Sequence, residues 1–162
     1  METSLVGITT TCVNSILKNA IISKKIPELR VYNKIRAEVM YGKDTRFDLC
    51  LENVERGRCY VEIKNCTLVQ NGIAYFPDAV TKRGLKHLKR LQDVIHSGND
   101  AIIFFLVQRM DSKVFSPATH IDPDYSLELR KAIDAGVKII AYDVYIDMIG
   151  ISLRKRLPCI LS

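Results

Sequence analysis

The chain has 162 residues, 48% hydrophobic and 26% charged. That balance suits one globular domain with a real core and excludes a disordered or low-complexity chain. With 24 Lys and Arg against 18 Asp and Glu, the net charge is +6, which favours an anionic partner, nucleic acid first.

The longest strongly apolar run, Ala101 to Val107, is far too short to span a membrane, and Met1 to Thr11 lacks the basic start and long apolar stretch of a signal peptide. Cys12, Cys50, Cys59, Cys66 and Cys159 form no C-x-x-C pair, and their number is odd. Reduced thiols in a cytoplasmic protein are expected. His87, His96 and His120 lack zinc-ligand spacing.

Residues 1–11 read as a short leader and residues 12–162 as a single domain. Cys12 to Ile22 carries Val13, Ile16, Leu17, Ala20 and Ile21 at helical spacing. Ile35 to Tyr41 reads as a strand, closed by the turn Gly42-Lys43-Asp44. Two alternating strands follow, Thr45 to Leu51 and Cys59 to Lys64, joined by Glu52 to Gly57. Alternation puts Phe47, Leu49 and Leu51 on one face and Asp48 on the other. In the third strand Cys59, Val61 and Ile63 share a face, opposite Glu62 and Lys64. A hairpin folded about Glu55 places Asp48 opposite Glu62, with Cβ atoms about 5 Å apart, and turns Cys50 and Cys59 to opposite sides.

Asp78 is the expected N-cap of a helix from Ala79 to His96, ended at Gly98. Val80, Gly84, Leu88, Leu91 and Ile95 would line its buried side, with Gly84 packed close to the sheet. Ala101 to Val107 reads as a strand covered on both faces. The polar Gln108-Arg109 ends it, where open α/β sheets tend to bind ligands. A loop holding Ser116-Pro117 and Asp122-Pro123 leads to a helix from Tyr125 to Ala135. A strand from Val137 to Tyr142 and a short last one from Ile149 to Leu153 complete the chain.

An antiparallel meander, a crossover helix and further strands give an α/β mixed sheet flanked by helices. This is also the core order of restriction-endonuclease-like, PD-(D/E)XK nucleases. Asp48 and Glu62 are candidate ligands for one Mg²⁺, which binds through one or two carboxylates and keeps several waters. Lys64 could position the attacking water or stabilise charge on a phosphate, and Glu38 could join from the first strand. Thr81, Lys82, Arg83, Lys86 and His87 are candidate contacts to a nucleic-acid backbone. The same residues also read as ordinary surface ions, Asp48 paired with Arg46 or Lys64, and both readings stand at this level.

Several stretches together resemble the sugar fermentation stimulation protein family. They are Glu38-Val39-Met40-Tyr41-Gly42, Arg46-Phe47-Asp48, Tyr60 to Leu68, and Phe76 to Leu88, followed by Phe115-Ser116-Pro117-Ala118, Ile121-Asp122-Pro123 and Gly136 to Tyr142. The Phe76 to Leu88 segment is the most specific. The resemblance implies a nuclease-like domain whose Asp and Glu-x-Lys signature falls on Asp48, Glu62 and Lys64, with Glu38 as the preceding acid. It also implies DNA or RNA as partner and, as the alternative to Mg²⁺-dependent cleavage, a non-catalytic DNA-binding regulator of sugar-utilisation genes. Family members usually carry an N-terminal OB-like domain before this region. Here a short leader stands in that place, so a partner chain substituting for that domain is a further expectation.

Overall fold

The computed structural model describes residues 13–161, so Cys12 and the leader lie outside the described residues. Helix α1 (Val13–Ile22) precedes a meander of β1 (Lys34–Tyr41), β2 (Thr45–Asn53) and β3 (Gly57–Cys66). A short hairpin, β4 (Leu68–Gln70) and β5 (Ile73–Phe76), leads to α2 (Lys82–His96) and β6 (Asp100–Val107). Strand β7 (Val114–Pro117), helix α3 (Pro123–Ala135), β8 (Lys138–Ile146) and β9 (Ile151–Arg156) follow. The main sheet has the order β1-β2-β3-β6-β8-β9. The meander and β9 run antiparallel to their neighbours, while β3, β6 and β8 are parallel.

Two apolar layers explain this arrangement. On one face α1 packs Val13, Ile16, Leu17, Ala20 and Ile21, the residues its spacing selects, onto Leu49, Leu51, Cys59, Val61 and Ile63. On the other, α2 and α3 pack Leu88, Leu91, Val94, Leu129 and Ala132 onto Cys50, Tyr60 and Cys66. Strand β6 feeds both layers, Ile102, Phe104 and Leu106 to one and Ala101, Ile103, Phe105 and Val107 to the other. This is why it reads as continuously apolar. Cys50 and Cys59 lie in opposite layers, as their hairpin register requires.

The structure departs from the sequence reading in several places. First, Phe47 lies in the α2 layer and not with Leu49 and Leu51. On β1, Ile35 packs toward α1, whereas Val39 and Tyr41, an even number of residues on, pack toward α2. Both strands change face at one level, where the pairs Ala37↔Leu49 and Val39↔Phe47 bracket Glu38 and Asp48. Glu38 has φ of 51°, a left-handed backbone that breaks the pleat there.

Second, α2 begins at Lys82, not Ala79. Thr81 is its N-cap, its Oγ1 accepting from the Gly84 amide at 2.9 Å. Asp78 and Val80 lie exposed ahead of it, Val80 at 70%. Third, Gly84 is packed against Thr81 and Tyr125 rather than against the sheet: a Cβ there would stand 2.7 Å from Thr81 Cγ2 and 3.1 Å from the Tyr125 ring. Fourth, the stretch around Ser116-Pro117 is not simply loop. Strand β7 pairs parallel with β5, and β5 pairs with β4 across the Asn71-Gly72 turn, giving a separate three-stranded sheet.

Candidate functional site

Register places Asp48 opposite Glu62, one step beyond the last ladder pair, Leu49↔Val61. There the backbone ladder gives way to side chains. The Ile63 amide donates to Asp48 Oδ2 at 2.7 Å, and Asn14 of α1 donates to Asp48 Oδ1 at 3.4 Å. Asp48 is half-buried. Burial, and next the charge of Glu62, push its carboxyl above the usual carboxylate range, and the Ile63 amide only partly opposes them.

Glu62 is 4% exposed. Lys64 Nζ donates to its Oε1 at 2.9 Å, and His87 Nδ1 of α2 stands 2.6 Å from the same oxygen. Nζ and Nδ1 are also 3.0 Å apart. Both groups converge on one carboxylate oxygen, so we assign their short separation to that shared target. Burial works against the Glu62 charge, but His87 and Lys64 outweigh it and hold the carboxyl below its ordinary value. Glu62 Oε2 is buried and has no hydrogen-bond partner. A buried, ionised oxygen left open is costly unless a ligand fills its coordination.

Helix α2 brings His87 to this point through its start. The Thr81 amide donates to Asp122 Oδ2 at 2.9 Å, while Asp122 Oδ1 accepts from the Tyr125 amide at 3.0 Å and caps α3. One buried carboxylate thus fixes the N-termini of both helices, and Gly84 lets them approach. Tyr125 is fully buried here, and its hydroxyl has no partner.

Asp48 and His87 line a cleft of about 530 Å³. Glu38, Met40, Lys43, Asp44, Arg46 and Phe47 form its hairpin wall, and Arg83 and Lys86 its helix wall. Of the sequence candidates, Glu38, Asp48, Arg83, Lys86 and His87 therefore meet at one place, and Glu62 joins His87 to Lys64 there. Lys82 and Thr81 do not line the cleft: Lys82 is exposed, and the Thr81 amide and hydroxyl are used within the fold. His87 is 7% exposed and turned to Glu62, so it is a buried neighbour of the acidic pair rather than a surface contact. Gln108 is buried and donates to Asn65, and Arg109 pairs with Asp111, so the end of β6 is tied up internally.

Sequence reasoning missed Asn14 and Lys43, and it read Arg46 as an ion partner of Asp48, whereas Arg46 lines the cleft. Gly42-Lys43-Asp44 was legible as a turn, but not as a wall of the cleft. Among the described residues, no three His, Cys, Asp or Glu side chains are grouped to hold a metal by themselves. A cation here would depend on two carboxylates plus water or ligand oxygens, a number within the habit of Mg²⁺. No described helix is long and apolar enough to cross a membrane.

Fold and site together define a mixed α/β protein with a Glu-Lys-His cluster at a cleft lined by basic and acidic side chains. A family model described as the sugar fermentation stimulation protein RE domain matches residues 11–149, and the chain belongs to that family. The sugar fermentation stimulation protein homolog of Pelobacter propionicus is 49% identical over 155 residues, which is 96% of this chain and 67% of that protein. The homolog of Geobacter sulfurreducens is 47% identical over 152 residues, 94% of this chain and 65% of that one. The structure of Pyrococcus furiosus SfsA in complex with Ca²⁺ matches with a TM-score of 0.90 at 28% identity, covering 98% of this chain and 68% of that one. The chain spans about two thirds of the length of these relatives.

Proposed function

We propose that this chain is a nucleic-acid-binding, nuclease-like domain of PD-(D/E)XK architecture that hydrolyses phosphodiesters with Mg²⁺ or a similar divalent cation. One observation carries the reading. Glu62 is buried and ionised, its Oε1 is held by Lys64 and His87, and its Oε2 is left without a partner opposite Asp48. The structure of the Pyrococcus furiosus relative is a complex with Ca²⁺, which supports a divalent cation for this chain. When bound by Asp48 and Glu62, the cation would supply an activated water and offset charge on the phosphate.

The chain's own residues do the rest. Arg83 and Lys86 hold the phosphodiester backbone along the cleft. Lys64, fixed on Glu62, presents an ammonium where negative charge develops. Asp48, raised by burial and next by the charge of Glu62, stands opposite Glu62 as the second carboxylate of the pair. Glu38 borders the cleft as a further acceptor. The test is cleavage of single- and double-stranded DNA and RNA with Mg²⁺ or Mn²⁺, by the wild type and by Asp48→Asn and Lys64→Met. Metal-dependent cleavage lost in both variants supports the reading; cleavage that survives Asp48→Asn overturns it.

A specific observation favours a second reading. Lys64 and His87 already offset the Glu62 charge without any cation. The cleft then serves as a non-catalytic DNA-binding surface, as in a regulator of sugar-utilisation genes. That reading predicts metal-independent, salt-sensitive binding with no cleavage.

A further inference from the structure

The cations of α2 that face the cleft are not all free. Asp44, in the turn between β1 and β2, holds Arg90 Nη2 through both carboxylate oxygens, at 2.8 and 2.9 Å. Lys86 Nζ lies 3.2 Å from Asp44 Oδ2 and 3.3 Å from the Asp44 carbonyl. The turn is thereby tied across the cleft rim to the helix. Asp44 and Lys86 both line the cleft, with Lys43 and Arg46 on the turn side and Arg83 on the helix side. Arg90 also touches Asp93, one turn along α2.

A carboxylate that gathers two cations uses the donors a phosphodiester would use, because both ligands present paired anionic oxygens to ammonium and guanidinium groups. The pairs are open to water, with side chains 37 to 48% exposed. Ion pairs so exposed are weak and exchange readily with other anions. The Asp44 carboxyl is nonetheless held at about 2, by Arg90 first and then Lys86, so it stays charged throughout the neutral range.

We propose that Asp44 is a built-in competitor for the cleft: it occupies Lys86 and Arg90 in the free molecule, and a phosphodiester backbone gains Lys86 by displacing it. The inference rests on the nucleic-acid reading above and adds a determinant of affinity to it. Lys43 of that turn and Arg46 of β2 then meet the backbone from the side opposite Arg83.

The experiment is fluorescence anisotropy of the full chain with labelled 20-base single strands and 20-bp duplexes over a salt series. Wild type, Asp44→Asn, Lys86→Gln and the double variant are compared, each checked for folding by circular dichroism. Asp44→Ser replaces Asp44→Asn if the latter does not fold. Asp44→Asn is expected to bind about five-fold tighter at 0.1 M salt, because Lys86 no longer leaves a carboxylate to meet the phosphate. In the Lys86→Gln background the gain should vanish, because the contested cation is gone.

If the wild type binds and Asp44→Asn does not bind tighter, the exchange is overturned while the nucleic-acid reading stands. A gain that persists undiminished in the Lys86→Gln background also overturns it, since it reports a general field effect. If neither the wild type nor Asp44→Asn binds any nucleic acid, the underlying reading fails and the exchange fails with it.

Discussion

Asp48 accepts the backbone amide of Ile63 at 2.7 Å, so the side chain of one strand replaces the backbone of its neighbour at the point where the ladder stops. The contact keeps Asp48 in place, yet the carboxyl is pushed upward by burial first and by Glu62 second. A group whose folded pKa is raised contributes its stability below its unfolded pKa and loses it as pH rises through the folded value. At neutral pH the ionised Asp48 is therefore a local cost. Asp48→Asn, which can still accept from Ile63, should raise the stability of the domain at pH 7 by about 1 kcal/mol, the usual scale for relief at a functional site. The advantage should shrink as pH falls through the raised folded value of Asp48 and be gone by about 4, where an ordinary Asp protonates. Thermal melts of both proteins from pH 3 to 8 test this; a variant less stable than wild type at pH 7 contradicts it.

Gly84 supplies a test with an unusual sign. In an exposed helix, Gly→Ala stabilises by about 1 kcal/mol. Here the added methyl would meet Thr81 Cγ2 at 2.7 Å and the Tyr125 ring at 3.1 Å. Gly84→Ala should therefore destabilise by about 1–3 kcal/mol, the cost of overpacking. It should also weaken the site, because α2 carries His87. Urea unfolding of the variant decides it, and a gain in midpoint would show that the helices can part at little cost.

Asp122 caps α3 and anchors the amide of Thr81, the cap of α2. Asp122→Ala removes both acceptors and leaves two amides unsatisfied. The expected loss is about 2–4 kcal/mol, roughly twice that of a single cap. Asp122→Asn, which keeps one acceptor oxygen, should recover about half. Equal losses in the two variants, measured by denaturant titration, would refute the double-cap account.

Much of this site was legible in the sequence because it lies in regular strands. The period-two pattern of Cys59 to Lys64, together with the turn near Glu55, fixed both the register and the shared face of Glu62 and Lys64. The burial of α1 also follows its spacing residue by residue. What the sequence did not disclose depends on tertiary partners. The face change at Glu38 and Asp48 rests on one left-handed backbone angle, and nothing in Ala37-Glu38-Val39 demands it. Thr81 outcompeted Asp78 as cap because Asp122, 41 residues away, fixes the Thr81 amide. His87 read as a surface contact because it follows basic residues, while α2 in fact turns it inward onto Glu62. Strand β7 escaped notice because its partner, β5, is a four-residue strand in a separate sheet.

The most direct measurement is calorimetric titration of Mn²⁺ and Ca²⁺ into the wild type, Glu62→Gln and Asp48→Asn, each shown to be folded. The account predicts one cation per chain for the wild type and at least about tenfold weaker binding in both variants, since each removes one of two carboxylate ligands. Equal affinity in all three proteins, or no binding by any, would contradict the assignment of Asp48 and Glu62 as a cation site.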